Sequence, residues 1–152
     1  MTYDLPDAEA TGRLGAAIAV ALRPGEAVCL HGPLGAGKST LARALVRALT
    51  TPHEDVPSPT FTLVQFYETK GPGGLHFPLA HFDLYRLERA DEAFEIGLDE
   101  ALETGAAVIE WPERLGGRLP PDRLDIDIAI TGEGRTARLS PHGAWKGRTL
   151  EF

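Results

Sequence analysis

Residues 32–40 read Gly-Pro-Leu-Gly-Ala-Gly-Lys-Ser-Thr, a fit to G-x-x-x-x-G-K-[ST]. This stretch constrains the fold more than any other, because the pattern has its meaning only between a strand and a helix. Glycines at 32, 35 and 37 permit a tight turn whose successive N–H groups converge on phosphate oxygens. Lys38 then reaches the β and γ phosphates, and the Ser39 hydroxyl enters the shell of a bound Mg²⁺. Pro33, Leu34, Gly35, Ala36, Gly37 and Thr40 belong to the same nucleotide-binding loop.

Both flanks have the required character. Residues 26–30, Glu-Ala-Val-Cys-Leu, form a short apolar run just after the turn-like Pro24-Gly25. Beyond Lys38, leucines at 41, 45 and 49 recur at helical spacing. The positive end of that helix faces the phosphates.

The remaining totals narrow the setting. With 152 residues, 43% hydrophobic and 24% charged, the chain is expected to form one globular domain. A net charge of −7 argues against DNA or other nucleic acid bound through a broad basic face. Cys29 is the single cysteine, which excludes an internal disulfide, and its place in the strand suits a buried thiol. No apolar run approaches the roughly 18 residues of a membrane span, and no signal peptide is recognisable, so a cytoplasmic protein without a membrane partner is expected.

Taken in order, Asp7 reads as the N-cap of a helix carrying Leu14, Ile18 and Leu22 on one face. After the strand, loop and helix comes a turn-like stretch at 50–59. Runs at 61–67 and 75–83 follow, separated by Lys-Gly-Pro-Gly-Gly at 70–74, and predict a hairpin. Residues 88–103 predict a helix broken at Gly97. The run 105–111 suits a central parallel strand. Alternation at 124–130 and 137–139 about a turn at 132–134 predicts an edge hairpin with one solvated face. The class is α/β: a mostly parallel P-loop sheet flanked by helices, with antiparallel hairpin additions.

Two acids end predicted strands, Asp83 and Glu110, at the carboxyl ends where α/β sheets bind ligands. A P-loop enzyme needs one carboxylate for Mg²⁺ and a group to orient the attacking water. The structural alternatives are a turn cap for Asp83 and a surface acid for Glu110. In Ser58-Pro59-Thr60-Phe61, Thr60 could reach the γ phosphate as switch hydroxyls do, or belong to a plain proline-fixed turn. Trp111 and Tyr85 fit either the core or the site. His31, His53, His76, His81 and His142 lack metal-ligand spacing and read as structural or solvent-exposed.

Together these segments resemble one family, the TsaE-type P-loop ATPases of tRNA threonylcarbamoyladenosine synthesis. The resemblance runs through Leu5-Pro-Asp7, Thr11, 31–40, Ser-Pro-Thr-Phe-Thr-Leu-Val at 58–64, His-Phe-Asp-Leu-Tyr-Arg-Leu at 81–87, Gly97-Leu98 and Glu-Trp-Pro-Glu at 110–113. It implies that residues 35–40 hold the phosphates of ATP or ADP. Ser39 and Glu110 would bind Mg²⁺, with Asp83 as the catalytic or water-orienting acid, itself near the metal. Thr60 would belong to a switch, Trp111 would be needed for activity, and Ala8 and Thr11 would line the adenine site. Members often carry Thr where Ser39 stands; serine keeps the hydroxyl. The implied role is ATP hydrolysis on the TsaB–TsaD threonylcarbamoyl transferase, with tRNA met only through that complex. Residues beyond about 141 carry no signal.

A regulatory GTPase would use an N-K-x-D motif, and the chain contains no asparagine. A small-molecule kinase would carry an arginine-bearing lid, for which Arg114, Arg118 and Arg123 are the candidates. A nucleotide-sensing module with incidental hydrolysis is the third reading. In the ATPase reading, Lys38 and Mg²⁺ offset charge while Asp83 or Glu110 positions the water.

Overall fold

The computed structural model describes residues 1–59, 62–70 and 76–150. The run at 26–30 becomes β2 (Ala27–His31), the strand on which the rest of the sheet is laid. It pairs in parallel with β5 (Ala106–Glu110) on one side and β6 (Arg123–Thr131) on the other. Beyond β5 lie β4 (Pro78–Asp83), parallel, and β3 (Val64–Glu68), antiparallel; beyond β6 lie β7 (Gly134–Pro141) and β1 (Thr2–Leu5), both antiparallel. The order is β1-β7-β6-β2-β5-β4-β3, a parallel centre with antiparallel additions on both sides.

Helices cover both faces. α1 (Ala8–Ala21) starts at Asp7, whose Oδ1 accepts from the Ala10 amide at 2.9 Å. It packs closely on α2 (Lys38–Leu49): a Cβ added at Gly15 would stand 2.8 Å from the Ala44 Cβ. Leu14, Ile18, Leu41 and Leu45 are fully buried between these helices and the sheet, each contributing about 1.5–3 kcal/mol. On the other face, α3 (Asp91–Glu95) and α4 (Leu98–Thr104) meet at Gly97, where φ is +100° and the predicted break occurs.

One expectation changes, and two segments left unread in the sequence take on structure. β6 and β7 are a hairpin but not an edge: β6 is interior, and β1, which the sequence did not announce, closes that side. The alternation of β6 reflects two unequal faces, with Leu124, Ile126 and Ile128 buried on one and Asp125 and Asp127 half-buried on the other. β1 was illegible because its exposed residues carry no pattern and Leu5 alone is buried. Finally, the tail beyond Pro141 is built in: Trp145 is 2% exposed, and Arg148 forms a bidentate ion pair with Glu26 at 2.7 and 2.8 Å. The β3–β4 hairpin is as predicted, although Phe61 and residues 71–75 lie outside the described residues.

Candidate functional site

The loop between β2 and α2 is a cradle built by glycine. Gly32 has φ +144°, and a Cβ there would stand 2.5 Å from the Ile128 carbonyl oxygen, so no side chain fits between the loop and β6. Gly35 and Gly37 also lie at positive φ, and Gly37 delivers the chain directly into the first turn of α2. That turn exposes backbone N–H groups at the positive end of a 12-residue helix.

Period-two geometry places the acids. Leu79, His81 and Asp83 share the face of β4 covered by α2, and Val108 and Glu110 share that face of β5. Asp83 and Glu110 are register partners at the carboxyl ends of their strands, beside the loop. Both are buried. Ser39 Oγ, from the first turn of α2, donates to Glu110 Oε1 at 3.0 Å. Asp83 accepts from the Tyr85 amide at 3.1 Å and from Ser58 Oγ at 3.4 Å, so it caps the turn while lining the cavity beside the loop.

Lys38 is 5% exposed, with its ammonium donating to the Gly32 carbonyl and lying 3.3 Å from the centroid of the Trp111 ring. Burial pulls its pKa below the ordinary value, against the opposing pull of Glu113, Glu110 and Asp83. Trp111 itself stands at φ +59°, a conformation rare for a bulky residue, and stacks at a tilt on Tyr85 with centroids 4.9 Å apart. A cavity of about 420 Å³ opens among these groups, lined by Lys38, Ser39, Ser58, Asp83, Glu110 and Trp111.

A second cavity, of about 230 Å³, lies on the other side of the loop. Ala8 and Thr11 line it with Gly35, Ala36, Gly37 and Thr40. Leu34 lines the first cavity, and Pro33 lines neither, contributing instead a carbonyl that accepts from the Ala36 amide at 3.2 Å. Thr60 lies outside the described residues. Of the arginines considered for a lid, Arg118 is tied to Asp91, Arg123 bonds Asp125 and the Pro120 carbonyl, and Arg114 lies 5.8 Å from the Tyr85 ring.

A profile for the family described as "Threonylcarbamoyl adenosine biosynthesis protein TsaE" matches residues 5–138. The chain belongs to the TsaE family. Relatives named tRNA threonylcarbamoyladenosine biosynthesis protein TsaE include those of Rickettsia felis, 34% identical over 86% of this chain and 74% of that one, and Treponema pallidum, 35% identical over 84% and 90%. Among solved structures, Bacillus subtilis YdiB superposes with a TM-score of 0.71 at 27% identity, covering 94% of this chain and 86% of its own. Among the described residues, no helix is long and apolar enough to cross a membrane.

Two residues within this TsaE fold escaped sequence reasoning. His81 lies under Glu110, with Nε2 2.6 Å from Oε2; its position two before Asp83 was the available signal. Arg135, from β7, donates to the loop carbonyls of Ala36 and Gly35, each at 3.1 Å, and nothing in its local sequence announces this.

Proposed function

We propose that this TsaE-family protein is a Mg²⁺-dependent ATPase that acts on the TsaB–TsaD threonylcarbamoyl transferase, meeting tRNA only through that complex. The observation that carries the reading is the Ser39–Glu110 hydrogen bond beside Lys38, with Asp83 opposite in register. A hydroxyl and two carboxylates at one cavity mouth form a hard oxygen donor set, which fits Mg²⁺. Ser39 and Glu110 would hold the ion, with Asp83 near it. Bound there, Mg²⁺ would offset charge on the β and γ phosphates.

The chain's own groups supply the rest. Backbone N–H groups of residues 35–40 receive the phosphates, and Lys38 neutralises charge on the γ phosphoryl group. Asp83 accepts a hydrogen bond from the water and directs its oxygen at the γ phosphorus. The new P–O bond forms as the bond to the bridging oxygen breaks, and ADP leaves with that electron pair. The water proton passes to Asp83 or to phosphate. The cavity lined by Ala8 and Thr11 would take the adenine. The contacts of Lys38 with Trp111 and Gly32 must open for this to occur, and a partner that rearranges Trp111 would favour opening. On this reading the protein alone would turn over slowly.

The test is phosphate release from ATP by the purified protein, alone and with the TsaB–TsaD pair, with Lys38→Ala as blank. A slow rate that rises with the pair and vanishes in the blank is expected. A rate indifferent to the pair would overturn the assigned role, and a phosphate ester in place of free phosphate would indicate a kinase.

A further inference from the structure

Glu110 has two carboxylate oxygens, and Ser39 accounts for one of them. The other, Oε2, lies 2.6 Å from His81 Nε2, with the two side chains 3% and 2% exposed. A carboxylate presents acceptors alone, so Nε2 carries the hydrogen at this contact. The other ring nitrogen, Nδ1, is buried with no hydrogen-bond partner among the described residues. A histidine kept for packing would satisfy both nitrogens or be replaced by an apolar residue, as at its buried neighbours Leu79, Ala80 and Phe82. His81 instead spends its one described hydrogen bond on Glu110.

We propose that His81 is a positioning residue for the metal-binding carboxylate: it holds Oε2 so that Oε1 stays presented to Ser39 and to Mg²⁺. This rests on the ATPase reading above. A glutamate has three side-chain torsions, and without an anchor its carboxylate samples orientations that do not face the loop. The anchor is rigid because β4 and β5 are in register, His81 opposite Val108 and Asp83 opposite Glu110, so the imidazole comes from the strand beside the one that ends in the acid. Outer hydrogen bonds of this kind set metal affinity, and their loss typically costs roughly 10–100-fold.

The experiment is binding of N-methylanthraniloyl-ATP to the full chain, by fluorescence, as free Mg²⁺ is varied, with an EDTA baseline. His81→Met removes the donor while filling the space; its Mg²⁺ midpoint should rise about 10- to 100-fold with nucleotide affinity in EDTA unchanged. His81→Gln, whose amide nitrogen reaches about as far as Nε2, should restore most of the midpoint. An unshifted midpoint in His81→Met, with or without a lowered melting temperature, would make the contact merely structural and overturn the proposal. If His81→Met fails to fold, Gln is compared with Asn, too short to reach Glu110: a midpoint shifted in Asn alone supports positioning, and equal midpoints overturn it. A wild type insensitive to Mg²⁺ would instead overturn the ATPase reading, and this inference with it.

Discussion

Arg148→Ala should be among the more destabilising single changes outside the hydrophobic core. Arg148 donates Nη1 to Glu26 Oε1 at 2.7 Å and Nη2 to Glu26 Oε2 at 2.8 Å, and it also bonds the carbonyls of Ala21 and Ala144. The Glu26 side chain is 7% exposed and that of Arg148 25%. Removing one partner of a fully buried pair costs about 3–5 kcal/mol, because the other charge is left buried. Here truncation would admit water along the path Arg148 occupied, and Glu26 Oε1 would keep the Arg23 amide at 3.0 Å. The expected loss is therefore about 2–3 kcal/mol, or roughly 5–10 °C in melting temperature for a chain of this length. Urea unfolding followed by circular dichroism measures it. A double-mutant cycle with Glu26→Gln should give a coupling of about 1.5 kcal/mol or more. A loss below about 0.5 kcal/mol, the scale of an ordinary surface change, would refute the claim that the tail is strapped down through Glu26. ATP binding should be unaffected, since Glu26 precedes β2 and the loop follows it.

Gly32→Ala should abolish nucleotide binding in an equilibrium assay, because the new Cβ would meet the Ile128 carbonyl and push the loop from β6. The chain has two tryptophans, and the Trp111 ring covers Lys38, so ATP should change intrinsic fluorescence in the wild type and not in Trp111→Phe, where Trp145 alone reports. His31 and Asp125 predict a pH window. A hydrogen bond donated by His31 to Asp125 raises the His31 pKa above 6.5 despite burial. Burial pushes Asp125 up, but hydrogen bonds from His31 and Arg123 and their charges bring it below 3.8. The His31 contribution is full below pH 6.5 and fades as pH rises through its raised value; that of Asp125 is present above pH 3.8 and fades as pH falls through its lowered value. The stability difference between wild type and His31→Gln, from urea unfolding, should therefore shrink as the pH is raised beyond 6.5 and through the raised His31 value; a pH-independent difference would refute the pairing.

What the sequence revealed about this site follows the range over which its signals act. The loop at 32–40, the acids ending β4 and β5 and the break at Gly97 rest on local geometry: a fixed spacing, a period of two, a glycine at positive φ. The residues that hold those parts in place are contributed from elsewhere. Arg135 reaches the loop carbonyls of Ala36 and Gly35 from 99 and 100 residues away, and His81 reaches Glu110 across 29. Arg135 has no spacing to read, and the position of His81 two before Asp83 tells its face and not its partner, because each contact depends on which strands become neighbours. The misplacement of the β6–β7 hairpin has the same origin, since alternation tells which face of a strand is buried and not which strand lies beside it. The consequence for function is specific. The loop's glycines allow its shape, but Gly35 and Ala36 carbonyls are held by a guanidinium on β7, so the nucleotide cradle is complete only when β7 has joined the sheet. Arg135→Ala should therefore weaken ATP binding severalfold while leaving the melting temperature within a few degrees, since two neutral-acceptor hydrogen bonds at a half-exposed site contribute about 1–2 kcal/mol. Unchanged ATP affinity in that variant would mean that the loop holds its shape by its own backbone.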